Sequence, residues 1–200
     1  DLAGISESGE VYYTTDLNLW HKIPGRLLWL TVGDFNGDEA IDLAGLNGDG
    51  RIFFTLDLKQ WISVPGRLET LVAGDFDGDG VDDLAGLNGS GRIYFTSDLS
   101  SWAVIPGQLS QLLVGDFDGD GRDDLSGLNS TGQIFVTLDF ESWTQLPGRL
   151  SRIIAGDLNQ DGLCDLAGLN SSGGIFYSLD IQTWLQVPGG LSQLAALDLD

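Results

Sequence analysis

Cysteine, histidine and basic residues are scarce in this chain of 200 residues. Cys164 is the only cysteine and His21 the only histidine, so an intrachain disulfide is excluded and zinc lacks its usual ligands. Nine Lys and Arg stand against thirty Asp and Glu, which gives a net charge of -21 and argues against binding to nucleic acid. No apolar run approaches the roughly 18–20 residues of a membrane span, so we expect no membrane insertion.

Tryptophan and proline recur with a fixed period of 41 residues. A period of this length indicates one supersecondary unit copied in series. A residue that returns at the same phase in each copy therefore serves the unit. The repeated positions are Trp20, Trp61, Trp102, Trp143 and Trp184, followed by Pro24, Pro65, Pro106, Pro147 and Pro188.

Each repeat contains four short apolar runs, which in one copy are QLLVGDF, DLSGL, QIFVTLD and WTQLPG. Runs of about 5–7 residues bounded by Gly, Asn, Asp or Ser are typical of strands, and helical spacing of apolar residues is absent. Four antiparallel strands per repeat form the blade of a β-propeller, and stacked blades bury each other's faces. A β-sandwich would not require an identical period.

The phase of the chain ends predicts a closed ring of five blades. The chain begins at the start of a second strand, and residues 194–200 match a first strand, so the two ends would pair to complete one blade. The rival interpretation is a fragment of a larger ring, most often seven-bladed. The sequence therefore predicts an all-β, five-bladed propeller in one domain of residues 1–200, with blades at about 27–67, 68–108, 109–149, 150–190, and 191–200 plus 1–26.

An aspartate-rich loop lies between the first and second strands of four repeats. The loops read DFNGDEAID, DFDGDGVDD, DFDGDGRDD and DLNQDGLCD, with oxygen side chains at loop positions one, three, five and nine. Hard oxygen ligands in a tight loop suit Ca²⁺ better than Mg²⁺, and position seven would add a backbone carbonyl. An aspartate-rich turn without metal is the alternative, but like charges this close repel unless a cation neutralises them.

The predicted calcium ligands form four complete sets and one split set. The Asp34 loop carries Glu39 where the others have glycine, so we expect weaker binding there, and the split site at the chain ends would be weak or empty. The predicted ligands are Asp34, Asn36, Asp38, Ala40 and Asp42; Asp75, Asp77, Asp79, Val81 and Asp83; Asp116, Asp118, Asp120, Arg122 and Asp124; Asp157, Asn159, Asp161, Leu163 and Asp165; and Asp198, Asp200 and Asp1.

The GDFDGDGVDDLAGL and GDFDGDGRDDLSGL runs, followed by I-P-G or V-P-G turns, resemble the FG-GAP/VCBS calcium-loop repeats. This resemblance covers the whole chain and implies a propeller like that of integrin α subunits, in which the loop joins the innermost strand of a blade to the second. It also implies Ca²⁺ as the bound ion. Members include adhesion receptors and a fungal sugar-binding lectin, both usually seven-bladed, so five copies depart from the pattern.

Candidate ligand-binding residues lie at the opposite end of each blade from the calcium loops. Asparagine amides suit sugar hydroxyls, although such residues also cap tight turns, and the tryptophans more often pack between blades. Trp29 breaks the repeat and is a candidate contact residue. The candidates are Asn47, Asn88, Asn129, Asn170, Arg51, Arg92 and Trp29.

Repetition favours binding over catalysis, because an acid and a base need unequal environments and the repeats supply equal groups. We therefore expect that the protein is not an enzyme. The first interpretation is an extracellular or cell-surface recognition module that binds a glycan or a cell-surface protein. The second is a calcium-stabilised structural or protein-interaction domain of a larger surface protein, without sugar binding.

Overall fold

Residues 1–196, which the computed structural model describes, fold into β-strands joined by tight turns. No helix in this range has the length and apolar character that a bilayer span needs. In chain order the strands are β1 (Leu2–Ile5), β2 (Glu10–Thr14), β3 (His21–Arg26), β4 (Trp29–Gly33), β5 (Asp42–Leu46), β6 (Arg51–Thr55), β7 (Ile62–Arg67), β8 (Thr70–Gly74), β9 (Asp83–Leu87), β10 (Arg92–Thr96), β11 (Ala103–Gln108), β12 (Gln111–Gly115), β13 (Asp124–Leu128), β14 (Gln133–Thr137), β15 (Thr144–Arg149), β16 (Arg152–Gly156), β17 (Asp165–Leu169), β18 (Ile175–Ser178) and β19 (Leu185–Val187).

The strands form five sheets, and each strand pairs with its neighbour in sequence. Sheet I contains β1–β3, sheet II β4–β7, sheet III β8–β11, sheet IV β12–β15 and sheet V β16–β19. The predicted unit of four antiparallel strands is confirmed in sheets II to V. Sheet I has three strands within the described range. The sequence predicts a fourth strand at 194–200 that pairs the two chain ends. Residues 194–196 belong to no strand, and residues 197–200 lie outside the described range.

The described chain divides into two compact units. The first holds sheets I and II and most of sheet III; the second holds sheets IV and V. Their bounds are Asp1–Asp75, Asp79–Ser90 and Tyr94–Val104 for the first, and Phe76–Gly78, Gly91–Ile93 and the chain from Ile105 onward for the second.

Burial differs sharply between the second and fourth strands of each sheet. Every residue of β5, β9, β13 and β17 is buried, which fits their short D-L-[AS]-G-L sequence of small and apolar side chains. In the outer strands β3, β7, β11 and β15 one residue of the six is buried. The second strand is therefore the centre of each sheet's core.

The core of each unit lies between neighbouring sheets. In the first unit, Phe54 and Val64 of sheet II belong to one cluster with Leu84 of sheet III. In the second unit, Leu146 of sheet IV belongs to one cluster with Leu166 of sheet V. Packing of sheet on sheet is the stacking that the repeat predicts, because a single sheet cannot bury both of its faces.

The Pro-Gly pair of each outer strand forms a bulge in sheets I, II and IV. In sheet IV, Gln133 pairs with Arg149 and Ile134 with Leu146, so Pro147 and Gly148 are left without partners across the ladder. Proline cannot donate to a ladder and is tolerated at an edge strand or bulge.

A repeated aspartate shapes the turn between the third and fourth strands. Asp98 Oδ1 accepts hydrogen bonds from the N–H groups of Ser100 and Ser101, at 2.8 and 2.7 Å. The residue after each of these aspartates takes a left-handed backbone conformation, with φ between 49° and 58° at Leu17, Leu58, Leu99, Phe140 and Ile181. This places apolar side chains such as Leu99 against the interior.

Candidate functional site: the aspartate loops and the pockets between sheets

The four aspartate loops join the first strand of a sheet to its buried second strand. Position nine is the first residue of that second strand and is almost completely buried: Asp42, Asp83, Asp124 and Asp165 are 1–3% exposed. Positions three and five lie on the exposed part of the loop. Each loop thus carries one buried carboxylate beneath more exposed oxygen groups.

Backbone N–H groups hold the loop carboxylates in place. In the third loop, Asp116 accepts from the N–H of Gly119 at 2.6 Å and of Gly121 at 3.0 Å through different oxygens. Asp124 Oδ2 accepts from the Phe117 N–H at 3.0 Å. The loop is therefore ordered by its own backbone before any cation is considered.

Two positions of each loop adopt the left-handed conformation, whereas the sequence predicts only the turn at position six. Position four is also left-handed, with φ of 77° at Gly78 and 62° at Gln160. Position six has φ of 85° at Gly80 and 65° at Glu39. The first and fourth loops therefore each hold one non-glycine residue in a conformation that costs a side chain roughly 1–2 kcal/mol.

Three carboxylates converge in the second and third loops. Ligand oxygens of Asp75, Asp77 and Asp83 lie within 4.8 Å of one another, and so do those of Asp116, Asp118 and Asp120. Burial, together with the neighbouring carboxylates of its loop, raises the pKa of Asp124 to about 7, against the lowering effect of the Phe117 N–H hydrogen bond. The fold therefore holds like charges close together around a poorly hydrated carboxylate.

The chemistry of this donor set fits a hard divalent cation. The ligand atoms are carboxylate and amide oxygens, which Ca²⁺ prefers. Backbone N–H groups bond Oδ1 of Asp120 and Oδ2 of Asp124, so each carboxylate has a second oxygen outside these bonds. Arg122, at position seven, extends beside Gly78 of the preceding loop. The carboxylates of the loop thus present a concentrated negative charge to a cation.

The first and fourth loops differ from the middle two by an asparagine at position three. Asn36 Nδ2 lies 3.4 Å from Asp42 Oδ2, and Asn159 donates through Nδ2 to Asp161 Oδ2 at 2.8 Å. The amide N–H of the asparagine partly compensates the negative charge of the neighbouring carboxylate. Less repulsion between carboxylates therefore remains for a cation to relieve in these two loops. Of the split site, Asp1 is described, and Asp198 and Asp200 lie outside the described residues.

Three equivalent pockets lie between neighbouring sheets within the two units. One side of each is the Pro-Gly region of an outer strand, and the other is a tryptophan, an asparagine and an aromatic ring of the next sheet. Their volumes are about 230, 140 and 340 Å³. The corresponding groups are Asn88, Tyr94 and Trp102; Asn129, Phe135 and Trp143; and Asn170, Phe176 and Trp184.

The asparagines of these pockets have two roles. Asn129 Oδ1 accepts from the N–H groups of Thr131 and Gln133, both at 3.0 Å, and so closes the turn between the second and third strands. Its Nδ2 donates to Gln133 Oε1 at 2.9 Å. Turn formation, the alternative that the sequence left open, is thus present, and the same side chain also lines a pocket.

The remaining candidate ligand residues lie elsewhere. Asn47 Oδ1 accepts from the N–H groups of Asp49 and Arg51, so Asn47 also closes its turn. Trp29 donates its indole N–H to the Leu71 carbonyl at 2.7 Å and therefore bridges sheets II and III, with 41% of its surface exposed. Asn47, Arg51, Arg92 and Trp29 line none of the three pockets.

Sequence reasoning missed the pocket role of the repeated tryptophans and of the aromatic residue in the third strand. It also missed any role for loop position eight. The available signal was the repeated glycine directly before each first aspartate, at Gly33, Gly74, Gly115 and Gly156, since such a glycine often marks a close approach of backbone.

Comparison with known proteins identifies the fold but no family. No family model matches the chain, and no curated protein matches its sequence. Among solved structures, YCF48 from Cyanidioschyzon merolae is 14% identical with a TM-score of 0.61, and the alignment covers 93% of this chain and 68% of that one. Two crystal structures of BBS1N in complex with ARL6DN, soaked with lead and with mercury, are 13% and 12% identical, with TM-scores of 0.60 and 0.66.

These neighbours are β-propellers, and the chain is therefore an all-β protein of the β-propeller class, as the sequence predicts. The alignments cover 92% and 94% of this chain and only 63% and 64% of the BBS1N chains, so the chain spans less than two thirds of their length.

Proposed function

We propose that this chain is a calcium-stabilised, extracellular recognition module that binds neutral glycans at equivalent pockets between neighbouring blades. The observation that carries the proposal is the recurrence of one pocket, built from the same residue types, at three pairs of sheets. Equivalent weak sites on one scaffold raise the avidity for a ligand that is itself repeated.

The lining of the pockets supports a small polar ligand. An indole and a second aromatic ring offer apolar faces, while asparagine offers an amide beside them. Volumes of about 140–340 Å³ fall at or below the lower end of the range for drug-sized ligands, which is roughly 300–1,000 Å³. A single sugar unit combines apolar C–H faces with hydroxyl groups and fits such a lining.

The charges around the pockets favour a neutral ligand. Two pockets include Arg67 or Arg149, but Gln108 takes the corresponding position in the third. The arginines also donate to turn carbonyls, Arg67 to Asp49 O at 2.9 Å and Arg149 to Thr131 O at 2.8 Å. A ligand that uses all three pockets cannot depend on a cationic side chain in each.

Calcium has a structural role in this proposal. The four loops with their buried ninth carboxylates would hold Ca²⁺, which would neutralise clustered charge at one end of each sheet. Extracellular Ca²⁺ sites work at roughly 10⁻⁴–10⁻³ M, so loops of moderate affinity would be filled outside the cell. The residues that would bind the ion are those at loop positions one, three, five and nine, with the position-seven carbonyl.

A protein ligand is the second candidate, and the BBS1N comparison favours it. That propeller is described in complex with a protein partner, ARL6DN. In this alternative the propeller is a calcium-stabilised interaction domain of a larger surface protein. The pockets then bind no sugar and result only from the packing of neighbouring sheets.

A glycan array followed by calorimetry separates the two candidates. We expect binding to neutral glycans with more than one site per chain. Phe135→Ala should remove one site, because the ring lines the 140 Å³ pocket. Leu138→Ala, at an exposed position directly after the same strand, should leave the stoichiometry unchanged. If no neutral or acidic glycan on the array binds, the lectin function is rejected and the protein-interaction domain is favoured.

The calcium part has a separate test. Thermal unfolding in Ca²⁺ above roughly 10⁻³ M or in a chelator should show a higher melting temperature with the ion. An identical melting temperature in both conditions would reject calcium stabilisation whatever the array shows.

A further inference from the structure

Position eight of one aspartate loop contacts position one of the preceding loop. Asp82 donates its N–H to the carbonyl oxygen of Asp34 at 2.7 Å. In return, the N–H of Asp34 donates to Asp82 Oδ2, also at 2.7 Å. Both backbone groups of the first predicted ligand are therefore fixed by one residue of the next repeat.

Close packing around this pair shows that it is a tight contact. A Cβ at Gly33, the residue before Asp34, would lie 2.8 Å from Asp82 Oδ2 and 3.0 Å from Asp82 Cβ. Only glycine leaves room for the aspartate to reach the backbone. The repeated glycine before each first aspartate is thus explained at this loop by the approach of position eight.

The second unit contains a partial version of the same contact. Cys164, at position eight of the fourth loop, donates its N–H to the carbonyl of Asp116 at 2.8 Å. The thiol replaces the carboxylate, so the charged acceptor that Asp82 presents to a backbone N–H is missing here. Cys164 and Asp82 therefore form a natural comparison between a single and a double contact.

We infer that Asp82 is a positioning residue that orients Asp34 for cation binding and links the Asp34 loop to the Asp75 loop. The inference rests on the proposed calcium function. Asp82 is adjacent to Asp83, the buried position-nine residue of its own loop, so a cation that fixes Asp83 also restrains the residue that holds Asp34. Removal of residues that orient metal ligands typically weakens metal binding by about 10–100-fold.

The geometry separates this role from a simple contribution to the fold. Asparagine at position 82 keeps an oxygen that accepts the Asp34 N–H, while alanine keeps only the backbone half of the contact. A purely structural contact would change the melting temperature equally with and without the ion. A positioning contact changes the affinity of the Asp34 loop.

The test is a Ca²⁺ titration of the whole chain, followed by NMR at the amide of Gly37, which donates to Asp34 Oδ1 at 2.8 Å. We expect Asp82→Ala to weaken binding at this loop by about tenfold or more, and Asp82→Asn to restore most of the affinity. Unchanged affinity in Asp82→Ala would overturn the inference. If the wild-type chain binds no Ca²⁺ at any loop, the proposed function itself fails.

Two further variants test the link between loops. Asp79→Ala, which disables the Asp75 loop, should weaken the Asp34 loop in the wild type but should have no such effect in the Asp82→Ala background. Cys164→Asp should tighten binding at the Asp116 loop by adding the missing carboxylate. Equal effects of Asp79→Ala in both backgrounds, or no gain in Cys164→Asp, would contradict the coupling.

Discussion

Trp143 donates its indole N–H to the carbonyl oxygen of Pro106, which lies 2.6 Å away in the outer strand of the preceding repeat. Trp102 makes the same bond to Pro65, also at 2.6 Å. At these two places the repeated tryptophan and the repeated proline meet directly, because the proline carbonyl of one repeat accepts from the indole of the next. The indole nitrogens of Trp61 and Trp184 are buried and have no partner among residues 1–196.

Replacing Trp143 by phenylalanine should destabilise the protein more than the same change at Trp184. Both changes lose similar packing, but only Trp143→Phe removes a hydrogen bond and leaves the Pro106 carbonyl without its partner, because the Trp184 indole N–H has none to lose. The difference in the free energy of unfolding should be about 1–3 kcal/mol, measured by chemical denaturation. Equal losses at the two positions would show that the indole bond contributes nothing.

Glu39→Gly should stabilise the first loop. Glu39 has φ of 65°, a conformation in which glycine has no steric cost, and the free energy of unfolding should rise by about 1 kcal/mol. Glu39→Ala is the matched control, because it removes the charge and keeps the strain. Thermal unfolding of both variants without added metal distinguishes the causes, and an equal gain from alanine would assign the effect to charge.

Acid should selectively weaken the turns between third and fourth strands. Hydrogen bonds from the N–H groups of Thr183 and Gln182 lower the pKa of Asp180 from 3.8 to about 2. A carboxyl whose pKa is lower in the folded state stabilises the fold above its unfolded pKa, and this contribution is lost as pH falls from about 4 through 2. The melting-temperature difference between wild type and Asp180→Ala should therefore be largest near pH 7 and shrink towards pH 2.

Asp180→Asn provides the control for that experiment. The amide oxygen can accept the same backbone bonds but does not titrate, so its difference from wild type should be smaller near neutral pH. A difference between wild type and Asp180→Ala that stays constant from pH 7 to pH 2 would refute the assignment.

Asp124→Asn should have opposite effects with and without Ca²⁺. Burial and neighbouring carboxylates disfavour the ionised form of Asp124, so a neutral amide of the same shape should raise the melting temperature of the metal-free protein near pH 8. The increase on adding Ca²⁺ should become smaller, because one buried ligand charge is gone. Differential scanning calorimetry in chelator and in Ca²⁺ measures both, and an undiminished Ca²⁺ effect would show that Asp124 is no ligand.

The sequence predicted the parts of the fold that depend on local patterns. Four strands per repeat followed from short apolar runs between turn residues. The left-handed conformation at Gln160 was not predicted, because the residue at that position is glycine in the other loops and its φ is imposed by loop geometry. Trp29, whose contact with a ligand stays a prediction, also bonds the Leu71 carbonyl, a partner that only strand packing brings near.

Within the chain, the fixed period determined the β-propeller class and the positions of the aspartate loops, because hydrophobic alternation and turn chemistry act over a few residues. The tertiary structure alone decided which repeated residues meet across repeats. The contact of Asp82 with Asp34, the indole bond from Trp143 to Pro106 and the pockets between sheets all join residues that are far apart in sequence. Such contacts depend on how neighbouring sheets pack. The spacing of residues along the sequence does not encode the distance between them in the folded protein.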